Sequence, residues 1–295
     1  MRWLCVLLIS CAIAPVLAQS SSDSSRQLEA GKNADLENWA WRARRGRQLT
    51  EVEQAVQAVL DGVAKRDCAA AAAKLNAGLA KGYPEIVTLA GAMYEEGVCL
   101  KQNWERALNF YLRAVGAGHA GAAARVAAGY AAPVGGRDMA TALWWGLRAK
   151  TALPATCTQV APLADDADRF VAALNAWPAG QLNACAYAVG VMATIQSEVE
   201  SAGLAAAYGL EGKVRFSLVP EQGRVDITNE LVDVVPVQGV LIDAATLASE
   251  AKAARQAFSV YLRQLADRAL KRYDKPVGIA PDWRADAEFV LSVAR

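Results

Sequence analysis

The chain has 295 residues, and its 31 Lys and Arg nearly balance its 30 Asp and Glu, for a formal net charge of +1. Such a balance gives the whole protein no electrostatic attraction to nucleic acid or to an anionic surface. The sequence has a single histidine, His119, and no Gly-x-x-x-x-Gly-Lys loop. It therefore excludes a His-Glu-x-x-His metalloprotease helix and a phosphate-binding loop of that type.

Residues 1–18 predict a secretory signal. Arg2 is followed by an apolar run that ends at Val16-Leu17-Ala18, the expected cleavage site. This run is too short to span a bilayer comfortably. An alternative interpretation takes Leu8-Ile9-Ser10-Cys11 as a lipobox, with a lipid attached to Cys11. We therefore expect a periplasmic protein without a transmembrane span in the mature chain, or one anchored through Cys11.

The region after the signal predicts two further segments. Residues 19–35 are Ser-rich and lack a hydrophobic period, which predicts a disordered leader. Two Trp and four Arg then follow between Trp39 and Arg47. This segment could grip a membrane surface or an anionic polymer. The interpretation we favour is a solvated helix whose Trp rings cap the open end of the next region.

A pattern of about 36 residues recurs between Leu49 and Lys150, and a period of this length is typical of stacked helical hairpins. Three short polar residues recur at this spacing: Asp67, Asn103 and Asp138. Three alanines follow them at the same steps: Ala71, Ala107 and Ala142. We expect each polar residue to cap the second helix of a hairpin. Gly82 and Gly118 suit a left-handed end to those helices.

Small and large residues alternate between the helices of these hairpins. Gly91 is expected to let two helices approach closely. Phe110 and Trp145 hold the same place in successive second helices. We expect each of these rings to pack against small residues of a neighbouring helix.

The middle unit carries a family resemblance in Ala90-Gly91, Tyr94, Gly97-Val98 and Trp104. These residues resemble the Sel-one-like repeat, a relative of the tetratricopeptide repeat. The resemblance covers about Leu49 to Lys150. It implies an α-solenoid with a concave face that binds protein, and it implies no chemistry.

The mature chain has four cysteines: Cys68, Cys99, Cys157 and Cys185. An even number in an exported chain predicts disulfides. In the repeat geometry, the start of one second helix lies near the end of the next first helix, which pairs Cys68 with Cys99. Cys157–Cys185 is then the second bond. A four-thiolate metal site is the alternative, but the sequence has no Cys-x-x-Cys pair.

The last hundred residues predict a small sheet with a long helix. Residues 209–219 alternate polar and apolar side chains and predict a half-buried strand, with Val214, Phe216 and Leu218 facing inward. A turn at 220–223 leads to a second strand from Arg224 to Thr228. A helix is expected from Asp243 to Tyr273, and a closing strand from Glu288 to Val293.

This order of elements resembles the C-terminal domain of TonB-type energy transducers. The residues that carry the resemblance lie at Ala206–Val214, at the Gly223-Arg224-Val225 hairpin, at Ala244-Ala245 and at Phe289. The resemblance implies a small antiparallel sheet that binds partners at an exposed strand edge. The long helix departs from that family. So does the lack of a retained membrane helix and a Pro-rich spacer.

Motifs for catalysis are weak. His119 stands at a helix turn, where a packing role is the simpler interpretation. Ser249-Glu-Ala-Lys252 matches the Ser-x-x-Lys of penicillin-interacting enzymes, without the companion motifs. Asp165, Asp166 and Asp168 fit the first turn of a helix, where its dipole favours acidic residues. We assign no catalytic, cofactor-binding or metal-binding residue.

The sequence therefore predicts a mainly α protein in two parts. Residues 36–195 form an α-solenoid of Sel-one-like hairpins with a helical bridge, and residues 196–295 form a small α+β domain with an antiparallel sheet. The expected function is that of an exported periplasmic adaptor, or scaffold, that binds other envelope proteins. The alternatives are an envelope hydrolase acting on cell-wall material and a TonB-like accessory of energy transduction.

Overall fold

The structure is a computed structural model that describes residues 50–119, 121–133, 136–178, 180–199, 209–233 and 244–291. These residues form ten α-helices, one short 3-10 helix and one three-stranded antiparallel sheet. They confirm the predicted fold class, which is mainly helical with a small antiparallel sheet. The predicted signal, the leader, the Trp39–Arg47 segment and Cys11 lie outside the described residues.

The helices and strands follow one another in a simple order. The helices are α1 Glu51–Ala64, α2 Cys68–Lys81, α3 Pro84–Glu96, α4 Trp104–Gly116, α5 Ala122–Ala131, α6 Met139–Arg148, α7 Ala155–Thr158, α8 Ala167–Asn175, α9 Gln181–Val199 and α10 Ala244–Arg272. The strands are β1 Leu210–Val219, β2 Arg224–Asp233 and β3 Ala285–Leu291. None of the helices in the described ranges has the length and hydropathy that a membrane crossing needs.

The first six helices pack in consecutive pairs: α1 with α2, α3 with α4 and α5 with α6. The three predicted caps are confirmed, because each side chain accepts a hydrogen bond from the backbone N–H three residues later. The N–O distances are 2.9 Å at Asp67, 2.8 Å at Asn103 and 3.0 Å at Asp138. Gly82 and Gly118 both have φ of +74°, which confirms the left-handed helix ends.

Glycines allow close helix contact at two places in this stack. A Cβ on Gly91 would lie 2.5 Å from Tyr111 Cε1, which confirms the predicted close approach of α3 and α4. A Cβ on Gly129 would lie 1.9 Å from Trp104 Cη2. The rings that press on glycines are therefore Tyr111 and Trp104. Phe110 stacks on Tyr94, with 5.7 Å between ring centroids, and also packs against the apolar cluster that contains Ala90. Trp145 packs against the cluster that contains Ala107, so both rings meet small residues as predicted.

Both predicted disulfides are present. Cys68, the first residue of α2, is bonded to Cys99 in the connection between α3 and α4. Cys157 of α7 is bonded to Cys185 of α9, and both of these residues are fully buried. Because all four thiols are in disulfides, none remains for the four-thiolate metal site. Disulfides of this kind point to an oxidising compartment.

The sheet has the strand order β2-β1-β3, with both pairs antiparallel. Val214, Phe216 and Leu218 are fully buried, which confirms the predicted inward face of β1. The predicted turn has hydrogen bonds from Gln222 N to Val219 O and from Gly223 N to Pro220 O. The closing strand begins three residues before the predicted start, and α10 lies within one residue of its predicted bounds at each end.

One hydrophobic core extends from the helical hairpins to the sheet. It contains buried side chains of α5, α6, α9, α10 and the inner face of β1, among them Leu143, Met192, Ile195, Phe216, Phe258 and Leu262. The predicted boundary between residues 195 and 196 falls inside α9. The division into two domains stays a prediction. Residues on both sides of the predicted boundary belong to the same hydrophobic core.

Candidate protein-interaction site

Strand β3 pairs with β1 on one side and, among the described residues, with no strand on the other. An unpaired side presents backbone N–H and C=O groups that can pair with an added strand. Val290 is 71 % exposed on this strand, in register with Lys213 of β1. Phe289 faces the other way and contacts Phe216, with 5.8 Å between ring centroids. The rigid inner face therefore holds β3 in place while its outer face is accessible.

A cavity of about 250 Å³ lies beside β3. Its walls combine residues of β3 with residues of α9 and of the connection after α6: Lys150, Ala152, Met192, Gln196, Asp286, Ala287, Glu288 and Phe289. Small-molecule sites usually have volumes of about 300 to 1,000 Å³. This cavity is below that range, and its size suits one or two side chains of a docked segment.

Two carboxylates, Asp286 and Glu288, line this cavity. Hydrogen bonds from Lys213 and Arg215 lower the pKa of Glu288 below its usual range. Asp286 accepts a hydrogen bond from the Ser217 hydroxyl. A general acid needs a raised pKa, so the environment of Glu288 opposes that role. The arrangement supports ion pairing and hydrogen bonding at the surface.

A second group of charged side chains lies inside the molecule, between α3, α4 and α10. Glu95 is only 1 % exposed. Its Oε2 accepts a 2.7 Å hydrogen bond from the Tyr111 hydroxyl, and its Oε1 accepts one from the Arg272 guanidinium. Burial raises the pKa of Tyr111, and the nearby Glu95 charge raises it further. These contacts join the second hairpin to the end of α10.

Arg125 of α5 and Glu198 of α9 form a further ion pair near this group. Burial alone would raise the pKa of Glu198, but Arg125, Arg268 and Arg272 outweigh it and lower that pKa overall. Glu96 is half-exposed at the rim of this group and pairs with Arg272 at 3.4 Å; its partial desolvation raises its pKa, against the opposing effect of Arg272. The carboxylates of this interior group therefore have arginine partners that hold them in place.

Tyr273 completes the contact between α10 and the hairpins. Its hydroxyl donates to Ala128 O at 3.0 Å and lies 2.8 Å from the Thr194 hydroxyl. Since its single proton goes to the carbonyl, Thr194 is the donor in the second bond. A Cβ on Gly190 would lie 2.6 Å from the Tyr273 ring, so α9 and this ring are in direct contact.

The residues considered for catalysis lie in three separate places. His119 Nδ1 is 3.1 Å from the Thr88 hydroxyl, and burial lowers the pKa of His119. This contact connects the turn before α5 to α3. Ser249 and Lys252 are exposed on α10. Asp166 caps α8 through Arg169 N, and Asp168 lies in the first turn, as predicted.

The interior charged group was not predicted from the sequence. Glu95 and Arg272 are 177 positions apart, and both lie in the last turn of a helix, where charged residues are usually solvated. No local spacing connects them. The cavity beside β3 was also not predicted, because its walls come from three separate parts of the chain.

Comparison of the chain with protein-family models, with curated proteins and with solved structures finds no match. The resemblance of the hairpins to the Sel-one-like repeat and of the sheet to the TonB C-terminal domain therefore stays a prediction.

Proposed function

We propose that this protein is an exported periplasmic adaptor that binds other envelope proteins. The observation that carries the proposal is the open side of β3 beside the cavity lined by Met192 and Phe289. An extended segment of a partner would add to the sheet as a fourth strand, with one or two of its side chains in the cavity. Backbone hydrogen bonds would supply affinity, and the cavity would supply specificity.

The export part of the proposal rests on the sequence and on the disulfides. The N-terminal segment reads as a secretory signal, and the two disulfides need an oxidising compartment to persist. The periplasm meets both conditions. The helical hairpins would provide the second binding surface, on the resemblance to Sel-one-like repeats.

Neither alternative has comparable support from the described residues. A wall hydrolase would need an acid and a base with separated pKa values in one cavity, and hydrogen bonds from cations lower the pKa of Glu288. An energy-transducing accessory would have to associate with a motor complex of the inner membrane. The open strand is sufficient for the adaptor.

Affinity capture under oxidising conditions tests the proposal. The bait would be the mature chain, compared with Val290→Lys, which places a charge on the exposed strand. Val277→Lys is the matched control, because Val277 is 94 % exposed and lies outside the sheet. We expect an envelope protein to be recovered with the wild type and the control and lost with Val290→Lys. Equal recovery by all three would contradict docking at β3.

A further inference from the structure

Four side chains of the second hairpin form a continuous stack on the surface. Arg106 Cζ lies 5.6 Å from the Tyr94 ring centroid, and Arg113 Cζ lies 5.4 Å from the Phe110 centroid. The two rings are 5.7 Å apart and nearly parallel, at 12°. The order of the stack is therefore guanidinium, ring, ring, guanidinium. We call these four residues the arginine–aromatic stack.

The stack follows from the helical period of α4. Arg106, Phe110 and Arg113 are at positions i, i+4 and i+7, which lie on one face of a helix. Seven residues correspond to a rise of about 10 Å between the Cα atoms of the two arginines. The rings of Tyr94, from α3, and Phe110 lie between the two guanidinium groups.

Most of the guanidinium donors of the stack are available. Arg106 Nη1 donates a 3.4 Å hydrogen bond to the Tyr94 hydroxyl, but each guanidinium has five N–H donors. Among the described residues, Arg106 and Arg113 form no ion pair with a carboxylate. Both side chains are exposed. The rings restrict their motion, which lowers the entropy cost of binding a ligand.

We infer that the arginine–aromatic stack binds an acidic segment of a partner protein, with one carboxylate at each end of the stack. Each guanidinium would form a bidentate pair with one carboxylate. The inference rests on the proposed adaptor function and assigns a surface and a partner chemistry to its helical half.

Fluorescence anisotropy with labelled poly-L-glutamate tests this inference on the full mature chain. The test variant is Arg106→Gln/Arg113→Gln. The matched control is Arg169→Gln/Arg263→Gln, which removes the same charge from two other exposed arginines. Two charge-assisted pairs at a partly exposed site are worth about tenfold in Kd, so we expect about that loss in the test variant. The control should bind like the wild type.

Two further arms keep the inference falsifiable if the test variant is destabilised. Arg106→Lys/Arg113→Lys keeps the positive charge but removes the planar guanidinium, which can donate two parallel hydrogen bonds to one carboxylate. This variant should weaken binding by about threefold. Inorganic polyphosphate of equal charge should bind more weakly than polyglutamate. The inference is overturned if the wild type does not bind polyglutamate, if the control loses as much affinity as the test variant, or if polyphosphate is preferred. Any of these outcomes would leave docking at β3 untouched.

Discussion

Glu95 is accommodated in the interior because neighbouring side chains satisfy both oxygens of its carboxylate. Tyr111 binds one oxygen and Arg272 binds the other. A buried charge without such partners costs several kcal/mol. In this region, an arginine from another helix offsets the cost of burying each carboxylate. The Glu198 carboxylate is paired with Arg125 in the same way.

The variant Glu198→Gln tests this pairing through the pH dependence of the free energy of unfolding. The folded-state pKa of Glu198 is below its usual range, so its ionised form adds stability above the unfolded pKa, and this stability is lost as the pH falls through the folded pKa. We expect the substitution to cost about 1 to 3 kcal/mol at pH 7, because it leaves Arg125 without its anionic partner at a site that is only partly exposed. The cost should shrink at pH 4. Urea unfolding at both pH values measures it.

Glu96 serves as a comparison, because its pKa is shifted in the opposite direction from that of Glu198. Burial raises its pKa, so its contribution to stability is present at low pH and is lost as the pH rises through the folded pKa. Glu96→Gln should therefore not reproduce the pH trend of Glu198→Gln. If both variants show the same trend, the arginine pairing described here does not control the Glu198 titration.

Close packing at Gly129 gives a second residue-scale prediction. Gly129→Ala would place a methyl group against the outer edge of the Trp104 ring, at Cη2 and Cζ3, and this ring also contacts Tyr130 edge-on. Overpacking of this kind typically costs about 1 to 3 kcal/mol. Gly116→Ala is the control, because an added Cβ there meets no atom within 4 Å. A thermal melt should show a lower Tm for Gly129→Ala only. Equal melting temperatures would contradict this packing.

At the scale of elements, α9 is the centre of the molecule. Its residues from Ala184 to Ser197 are all buried, and it contacts α5, α6, α10 and β3. The sequence analysis predicted only a helical bridge here. A signal was available, since residues 181–197 contain no charged side chain and a helix without a polar face is a buried helix. The strands, α10 and the caps were predictable because periodicity and capping are local properties.

The disulfide between α7 and α9 should differ in reactivity from the first disulfide. Cys157 and Cys185 are fully buried, whereas Cys68 is exposed. Thiol–disulfide exchange requires access of the attacking thiolate to a sulfur atom. With increasing dithiothreitol under native conditions, we expect alkylation at Cys68 and Cys99 before Cys157 and Cys185. Peptide mass spectrometry measures this order, and simultaneous alkylation of all four would contradict it.

At the scale of the whole molecule, the hairpins and the sheet are not independent. Tyr273 forms hydrogen bonds with Ala128 of α5 and Thr194 of α9, and Arg272 forms one with Glu95 of α3. The end of α10 is therefore fixed among these three helices. A deletion from Gly212 onward would expose the shared core and leave Glu95 without Arg272. Such contacts are long-range, and a sequence pattern carries no information about them. Point variants at the surface are therefore the appropriate probes of function.

The most direct test of docking at β3 is a photo-crosslinking amino acid placed at Val290 of the full chain in its native cell. We expect a discrete adduct with an envelope protein after irradiation. The same amino acid at Val277 should give none, because that exposed position lies outside the sheet. The absence of an adduct at Val290, or an equal adduct at Val277, would contradict the proposed adaptor site.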